Sequence, residues 1–227
     1  MIESVEHKEI NEIFKFGDVP HIILGNGSSG RTTLCKTVLR EFAPQCDHVY
    51  YLNNERSFRI TNPIPEDYRR ELTLESLINV WSEIKQLNES TEVELPKSLL
   101  IIDDSNILYN CLNSRSITYE NQTYKEQKCF KNIIMDILTR SRHYNMITCI
   151  VCHDVGIFDF KSPIDKLIFM SSNSAAKMSN SKSLSEKLRD QLRDISGHVF
   201  ENEPRYTFLG LNVYEESFYT GKCEIQY

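Results

Sequence analysis

Long apolar runs are missing from this chain. No stretch of its 227 residues approaches the roughly 20 apolar positions that a membrane-spanning helix needs. The opening residues, Met1 to Ile10, are polar and acidic where a secretory leader would be basic and then apolar, so no leader is expected. Without one, the glycosylation sequons at Asn26, Asn88 and Asn121 carry no meaning. Paired zinc-type cysteine spacing is missing too. Cys149 and Cys152 form a C-x-x-C inside an apolar run, and no second pair follows. The 7 cysteines therefore read as free thiols of a reducing intracellular compartment. An excess of positive charge is also lacking: 26 Lys and Arg face 32 Asp and Glu, a net charge of −6. That argues against a monomer gripping nucleic acid over a whole face, but not against a ring whose basic residues line one channel. Internal repeats and low-complexity tracts are absent from the sequence.

What remains is an ordinary globular composition, 40% apolar and 26% charged. One α/β domain is expected over residues 1–227, with a core at about 19–175 and a C-terminal helix and hairpin at 176–227.

Its most informative stretch is Gly25, Asn26, Gly27, Ser28, Ser29, Gly30, Arg31, Thr32 and Thr33. This is a phosphate-binding (Walker A) loop of the form G-x-x-x-x-G-K-[ST], with Arg31 in the lysine position. The apolar residues 20–24 before it read as a buried strand, and residues 32–42 after it as a helix. Glycines let backbone N–H groups turn around phosphates, and the helix N-terminus adds unpaired donors and a positive dipole end. Thr32 supplies a hydroxyl for Mg²⁺. The same glycines also fit the dinucleotide fingerprint G-x-G-x-x-G, with Glu55 as the acidic partner, somewhat late in the chain. A glycine turn without a ligand is the plain alternative.

Residues 98–104, Ser-Leu-Leu-Ile-Ile-Asp-Asp, predict a strand buried on both faces and ending in two carboxylates (Walker B). Asp103 is expected to hold Mg²⁺ and Asp104 to take a proton from attacking water. The plain alternative is a strand running out into a polar turn. One further strand, about 48–53, separates the two motifs in the sequence, which resembles the RecA-like branch of P-loop proteins.

A third segment, Thr139-Arg140-Ser141-Arg142-His143-Tyr144-Asn145, is expected on a helix that runs into a buried strand at 147–152, followed by His153. Together the three segments resemble the poxvirus-type DNA-packaging ATPases of the FtsK–HerA superfamily, over about residues 19–175. Arg31 and His153 depart from the lysine and glutamine of that pattern. The resemblance implies a RecA-like fold, with a mainly parallel sheet flanked by helices. It also implies ATP and Mg²⁺ as cofactors and a homo-oligomeric ring. Double-stranded DNA and a capsid or portal component would be the partners, in the virion or in host cytoplasm or nucleus. It gives His153 a γ-phosphate or water-positioning role, and makes Arg142, or Arg140, an arginine finger toward a neighbour. A nucleotide-binding module with little turnover, or an ATPase of replication or segregation, are the other readings.

Elsewhere, Leu74, Leu77, Ile78, Trp81, Ile84 and Leu87 repeat at helical spacing behind a Thr73 cap, as do Phe130, Ile133, Ile134, Ile137 and Leu138. A strand is expected at 166–170 and a hairpin at 206–214 and 217–227. Residues 54–71 and 88–97 read as linkers, 105–128 as a long polar loop suited to a ring channel, and 171–193 as a partly basic loop and helix.

Overall fold

The computed structural model describes residues 5–54, 64–90, 94–153, 164–182, 184–202 and 207–223. In chain order the strands are β1 (Glu6–His7), β2 (His21–Leu24), β3 (His48–Asn53), β4 (Arg69–Glu71), β5 (Ser98–Ile102), β6 (Ser116–Tyr119), β7 (Gln122–Lys125), β8 (Met146–Cys152), β9 (Lys166–Phe169), β10 (Thr207–Asn212) and β11 (Ser217–Lys222). The helices are α1 (Ile10–Ile13), α2 (Arg31–Phe42), α3 (Leu74–Glu89), α4 (Ser105–Cys111), α5 (Glu126–Arg140), α6 (Ser172–Ser179) and α7 (Glu186–Asn202).

Nine strands make one mixed sheet in the order β1-β11-β10-β9-β2-β8-β5-β3-β4. From β9 to β4 every pairing is parallel. Strands β2, β5 and β8 are buried at every position, as unbroken apolar runs require when helices cover both faces. The pleat divides them cleanly. Ile22, Leu24, Leu100, Ile102 and Ile150 face Leu77, Trp81, Ile84, Ile133 and Ile137 of α3 and α5. Ile23, Leu99, Ile101 and Val151 face Leu34, Val38 and Phe42 of α2 on the other side. Each fully buried side chain of this kind contributes about 1.5–3 kcal/mol. Thr73 caps α3 as expected, accepting from the Ser76 N–H at 3.0 Å. Trp81 Nε1 donates to Asp136 Oδ2 at 2.8 Å and ties α3 to α5.

Several local expectations are corrected. Residues 105–128 are not a loop: they form α4, the β6–β7 hairpin and the start of α5. Lys85 on α3 holds that hairpin by donating to the Tyr119 hydroxyl at 3.2 Å and to Glu120. The linker at 54–71 contains the edge strand β4, paired in parallel with β3, and α3 extends to Glu89. The segment 139–145 leaves helix at Arg140 and makes one 3₁₀ turn, Ser141–His143, before β8. Residues 171–193 carry α6 and the first half of α7. The expected C-terminal hairpin is present and extends the main sheet, because β10 pairs antiparallel with β9. None of the seven cysteines is in a disulfide; Cys111 is exposed, whereas Cys149 and Cys152 are buried in β8.

His21 opens β2 and is 1% exposed. Its Nε2 lies 3.2 Å from the Ile13 carbonyl, which only accepts, so Nε2 carries a proton. Burial first, and then the nearby Lys166 ammonium, lower its pKa to about 3, against the opposing pull of Asp18. A histidine neutral when folded and protonated when unfolded stabilises the fold above the unfolded pKa. That contribution is lost as pH falls below about 6.5. Lowering the pH from 7 to 5 should cost about 2 kcal/mol at this residue alone. Urea melts of the parent and of His21→Phe should show the smaller pH slope in the variant; equal slopes would refute the assignment.

Candidate nucleotide and metal site

The loop after β2 has the geometry its glycines foretell. A Cβ on Gly25 would lie 2.2 Å from Ser29 Oγ and 2.9 Å from Met170 Cβ, so only glycine fits. Gly30 starts α2 at φ 92°, in the left-handed region, and Ser28 is also left-handed at φ 61°. Ser28, Ser29, Gly30, Arg31, Thr32 and Thr33 line a cleft of about 260 Å³ at the head of α2. Asn26 carries the turn through its carbonyl, which accepts from the Ser29 N–H at 3.3 Å. Gly27 is sterically unconstrained, with nothing within 4 Å of an added Cβ. Topology removes the dinucleotide reading. Its acidic residue belongs on the strand next to the glycine loop, whereas β8 and β5 lie between β2 and β3. Glu55 itself lies outside the described residues.

Asp103 follows β5 and is 1% exposed. Its Oδ2 accepts from Thr32 Oγ1 at 3.2 Å, from the Tyr51 hydroxyl at 3.0 Å and from Asn53 Nδ2 at 3.0 Å. Its Oδ1 is buried with no hydrogen-bond partner among the described residues. Burial, and then the Asp104 charge, push its pKa up to about 6, opposed by Tyr51, Arg31 and Thr32. A buried carboxylate with one orphaned oxygen beside a threonine hydroxyl fits a small, hard cation. Among the described residues no group of three or more His, Cys, Asp and Glu side chains could hold a metal. Mg²⁺ here would complete its shell with water and phosphate oxygens.

Asp104 is left-handed at φ 62° and ψ 39°, as the N-cap of α4, yet its side chain makes no cap hydrogen bond. Its Oδ1 lies 3.4 Å from Arg31 Nη2 and 3.4 Å from His153 Nε2. Arg31 Nη2 is also 2.9 Å from His153 Nε2. Three residues from three separate motifs thus meet at one point. The His153 N–H donates to Asn106 Oδ1 at 2.7 Å, and Ser105 Oγ donates to the Val151 carbonyl at 2.8 Å; both fix α4 against the end of β8. Partial burial, and then Arg31, lower the His153 pKa, with Asp104 opposing.

The two arginines of the third segment lie elsewhere. Arg140 Nε pairs with Asp136 Oδ1 at 2.7 Å inside the α3–α5 network. Arg142 is exposed, and its Nε lies 3.4 Å from His143 Nε2. Both precede β8, whereas His153 follows it. Seven strand residues separate the two ends, about 23 Å at the usual rise. Arg142 therefore sits at the end of the strands opposite the loop of residues 25–33.

Sequence reasoning missed Tyr51, Asn53 and Asn106. The pair Asn53-Asn54 at the end of an apolar run was the available signal for the side chains that donate to Asp103.

No family profile and no curated protein matches the chain. Solved structures do. The genome-packaging NTPase of Sulfolobus turreted icosahedral virus 2, in complex with ATP-gammaS, superposes with a TM-score of 0.54 at 14% identity, over 92% of this chain and 99% of that one. The pCW3 conjugation coupling protein TcpA, with ATPgS, gives a TM-score of 0.55 at 13% identity, over 92% of this chain and 62% of that one. The cytoplasmic domain of the Thermomonospora curvata Type VII secretion ATPase EccC gives 0.51 at 12% identity, over 93% of this chain and 24% of that one. The chain's structural neighbours are thus a viral genome-packaging NTPase, a conjugation coupling protein and a type VII secretion ATPase, and the α/β fold it shares with them is that of the P-loop NTPases.

Proposed function

We propose that this chain is the ATP-hydrolysing subunit of a motor that moves double-stranded DNA into a viral capsid, working as a homo-oligomeric ring. The observation that carries the reading is the convergence of residues 25–33, Asp103 and the Arg31–Asp104–His153 cluster at one end of β2, β5 and β8. The likeness to a packaging NTPase over nearly the full length of both chains supports the choice of motor.

In this reading the loop backbone and Arg31 hold the phosphates, and Thr32 and Asp103 hold Mg²⁺. The cation offsets phosphate charge. Water attacks the γ-phosphorus as the bond to the β–γ bridging oxygen breaks; Asp104 takes the proton, and ADP and phosphate leave. His153, fixed by Asn106, orients the water or the γ-phosphoryl group. Arg142, too far from its own loop, is the finger that reaches a neighbour's nucleotide. A capsid or portal component and an intracellular site of action belong to the same reading.

Phosphate release with and without duplex DNA tests the motor: stimulation is expected, and turnover indifferent to DNA would sink it. The ring is tested by mixing. Turnover per subunit should rise steeply with protein concentration, and Arg142→Ala subunits should depress their wild-type neighbours. If they only dilute activity, Arg142 is not a finger. One observation favours a second reading, a nucleotide-binding module of virion assembly with little turnover: Arg31 is engaged with Asp104 and His153. Binding without measurable hydrolysis, with or without DNA, would select it.

A further inference from the structure

We propose that Arg31 makes this site respond to triphosphate and not to diphosphate: its guanidinium holds Asp104 and His153 until γ-phosphoryl oxygens take their place. The inference rests on the nucleotide-binding reading above and adds a γ-phosphate-dependent exchange that the reading does not contain.

A guanidinium donates only. Arg31 Nη2, at 2.9 Å from His153 Nε2, therefore requires that nitrogen to accept, so the imidazole is neutral with its proton on Nδ1. The same Nη2 lies 3.4 Å from Asp104 Oδ1. Both side chains of that ion pair are largely covered, 9% and 16% exposed, so water screens it less than a surface pair. Asp104 heads α4 without capping it, and its carboxylate faces Arg31 instead. Arg31 Nη1 is buried and has no hydrogen-bond partner among the described residues. A buried donor left unpaired is unfavourable until an acceptor reaches it.

A γ-phosphoryl group provides what this cluster lacks. It carries nearly two charges on three oxygens and can engage both arms of the guanidinium. It then competes with one carboxylate and one neutral imidazole. A diphosphate ends one phosphorus short, and Arg31 stays with Asp104. The exchange also frees the Asp104 carboxylate from its counter-charge only when a γ-phosphate is present. The lysine usual at this position has no second arm to offer the γ-phosphoryl oxygens.

Calorimetric titration with Mg²⁺ and either ADP or the non-hydrolysable β,γ-imido analogue of ATP tests this in a double-mutant cycle. Asp104→Asn weakens the hold on Arg31. It should tighten the imido analogue about five- to tenfold, and ADP by less than about twofold. In an Arg31→Met background, Asp104→Asn should change neither affinity by more than about twofold. Equal tightening in both backgrounds means that Asp104 merely repels the phosphate, and overturns the proposal. No tightening in the Arg31 background also overturns it. Failure of every form to bind either nucleotide defeats the functional reading as well. If Asp104→Asn does not fold, the His153 ring nitrogens of the wild-type protein decide. Their ¹⁵N shifts should report an Nδ1–H tautomer without nucleotide and move with the imido analogue but not with ADP; shifts indifferent to both overturn the exchange.

Discussion

Asp104→Asn is expected to lower ATP turnover by about 10²- to 10⁴-fold without loss of nucleotide binding. The amide is nearly isosteric with the carboxylate, and asparagine tolerates the left-handed backbone of φ 62° that this position requires. The fold should therefore survive. The metal site should survive as well, because Thr32, Tyr51 and Asn53 all point to Asp103 and not to its neighbour. Only a group able to take a proton from the attacking water is removed. Asp103→Ala is the contrasting case. It deletes the oxygen that organises three hydrogen bonds and the orphaned oxygen beside it, so Mg²⁺-dependent binding itself should weaken. Single-turnover hydrolysis and analogue titration separate the two effects. Turnover by Asp104→Asn equal to the parent's would remove Asp104 as the base.

The parts of this site readable from sequence were those written in contiguous residues. Glycine spacing, the residue after Gly30 and an apolar run ending in two aspartates each specify local geometry. Parallel strands then bring their C-terminal ends to one edge. That is why Thr32, Asp103 and His153 were expected near one another and lie there. Tyr51 and Asn53 were not readable, because their roles depend on which strand β3 joins. Its register places Tyr51 opposite Ile101 and Leu52 opposite Ile102, which sends the side chains of 51 and 53 toward Asp103. No local pattern encodes that pairing.

Misread elements failed for similar reasons. β4 is a three-residue edge strand of Arg-Arg-Glu, with no apolar alternation to mark it. The β6–β7 hairpin turns through Glu120 and Asn121, both with positive φ, at 48° and 61°. Such a turn is ordinarily signalled by Asn-Gly or Asp-Gly, and Glu-Asn hides it. The strand that separates β2 from β5 in space is β8, from late in the chain, whereas the strands that separate the two motifs in sequence, β3 and β4, lie beyond β5. Sequence order and sheet order answer different questions.

Arg31→Lys should raise turnover by tenfold or more, to about 10²-fold at most. In transfer of a phosphoryl group, positioning and charge placement do nearly all the catalysis. An ammonium is a compact charge that settles between β- and γ-oxygens, whereas a guanidinium is broad and spreads its charge over a planar fork. Here the guanidinium also touches Asp104 and His153, the two side chains that would act on the attacking water. Lysine at this position is shorter, so its ammonium ends farther from both and leaves the carboxylate free to accept a proton. Binding should change little, since the loop backbone and the head of α2 supply most of the phosphate donors. The predicted signature is thus a higher kcat at saturating Mg-ATP with a nearly constant KM. A slower Arg31→Lys enzyme would mean that the site has been rebuilt around arginine, with the Arg31–Asp104–His153 cluster as its working arrangement.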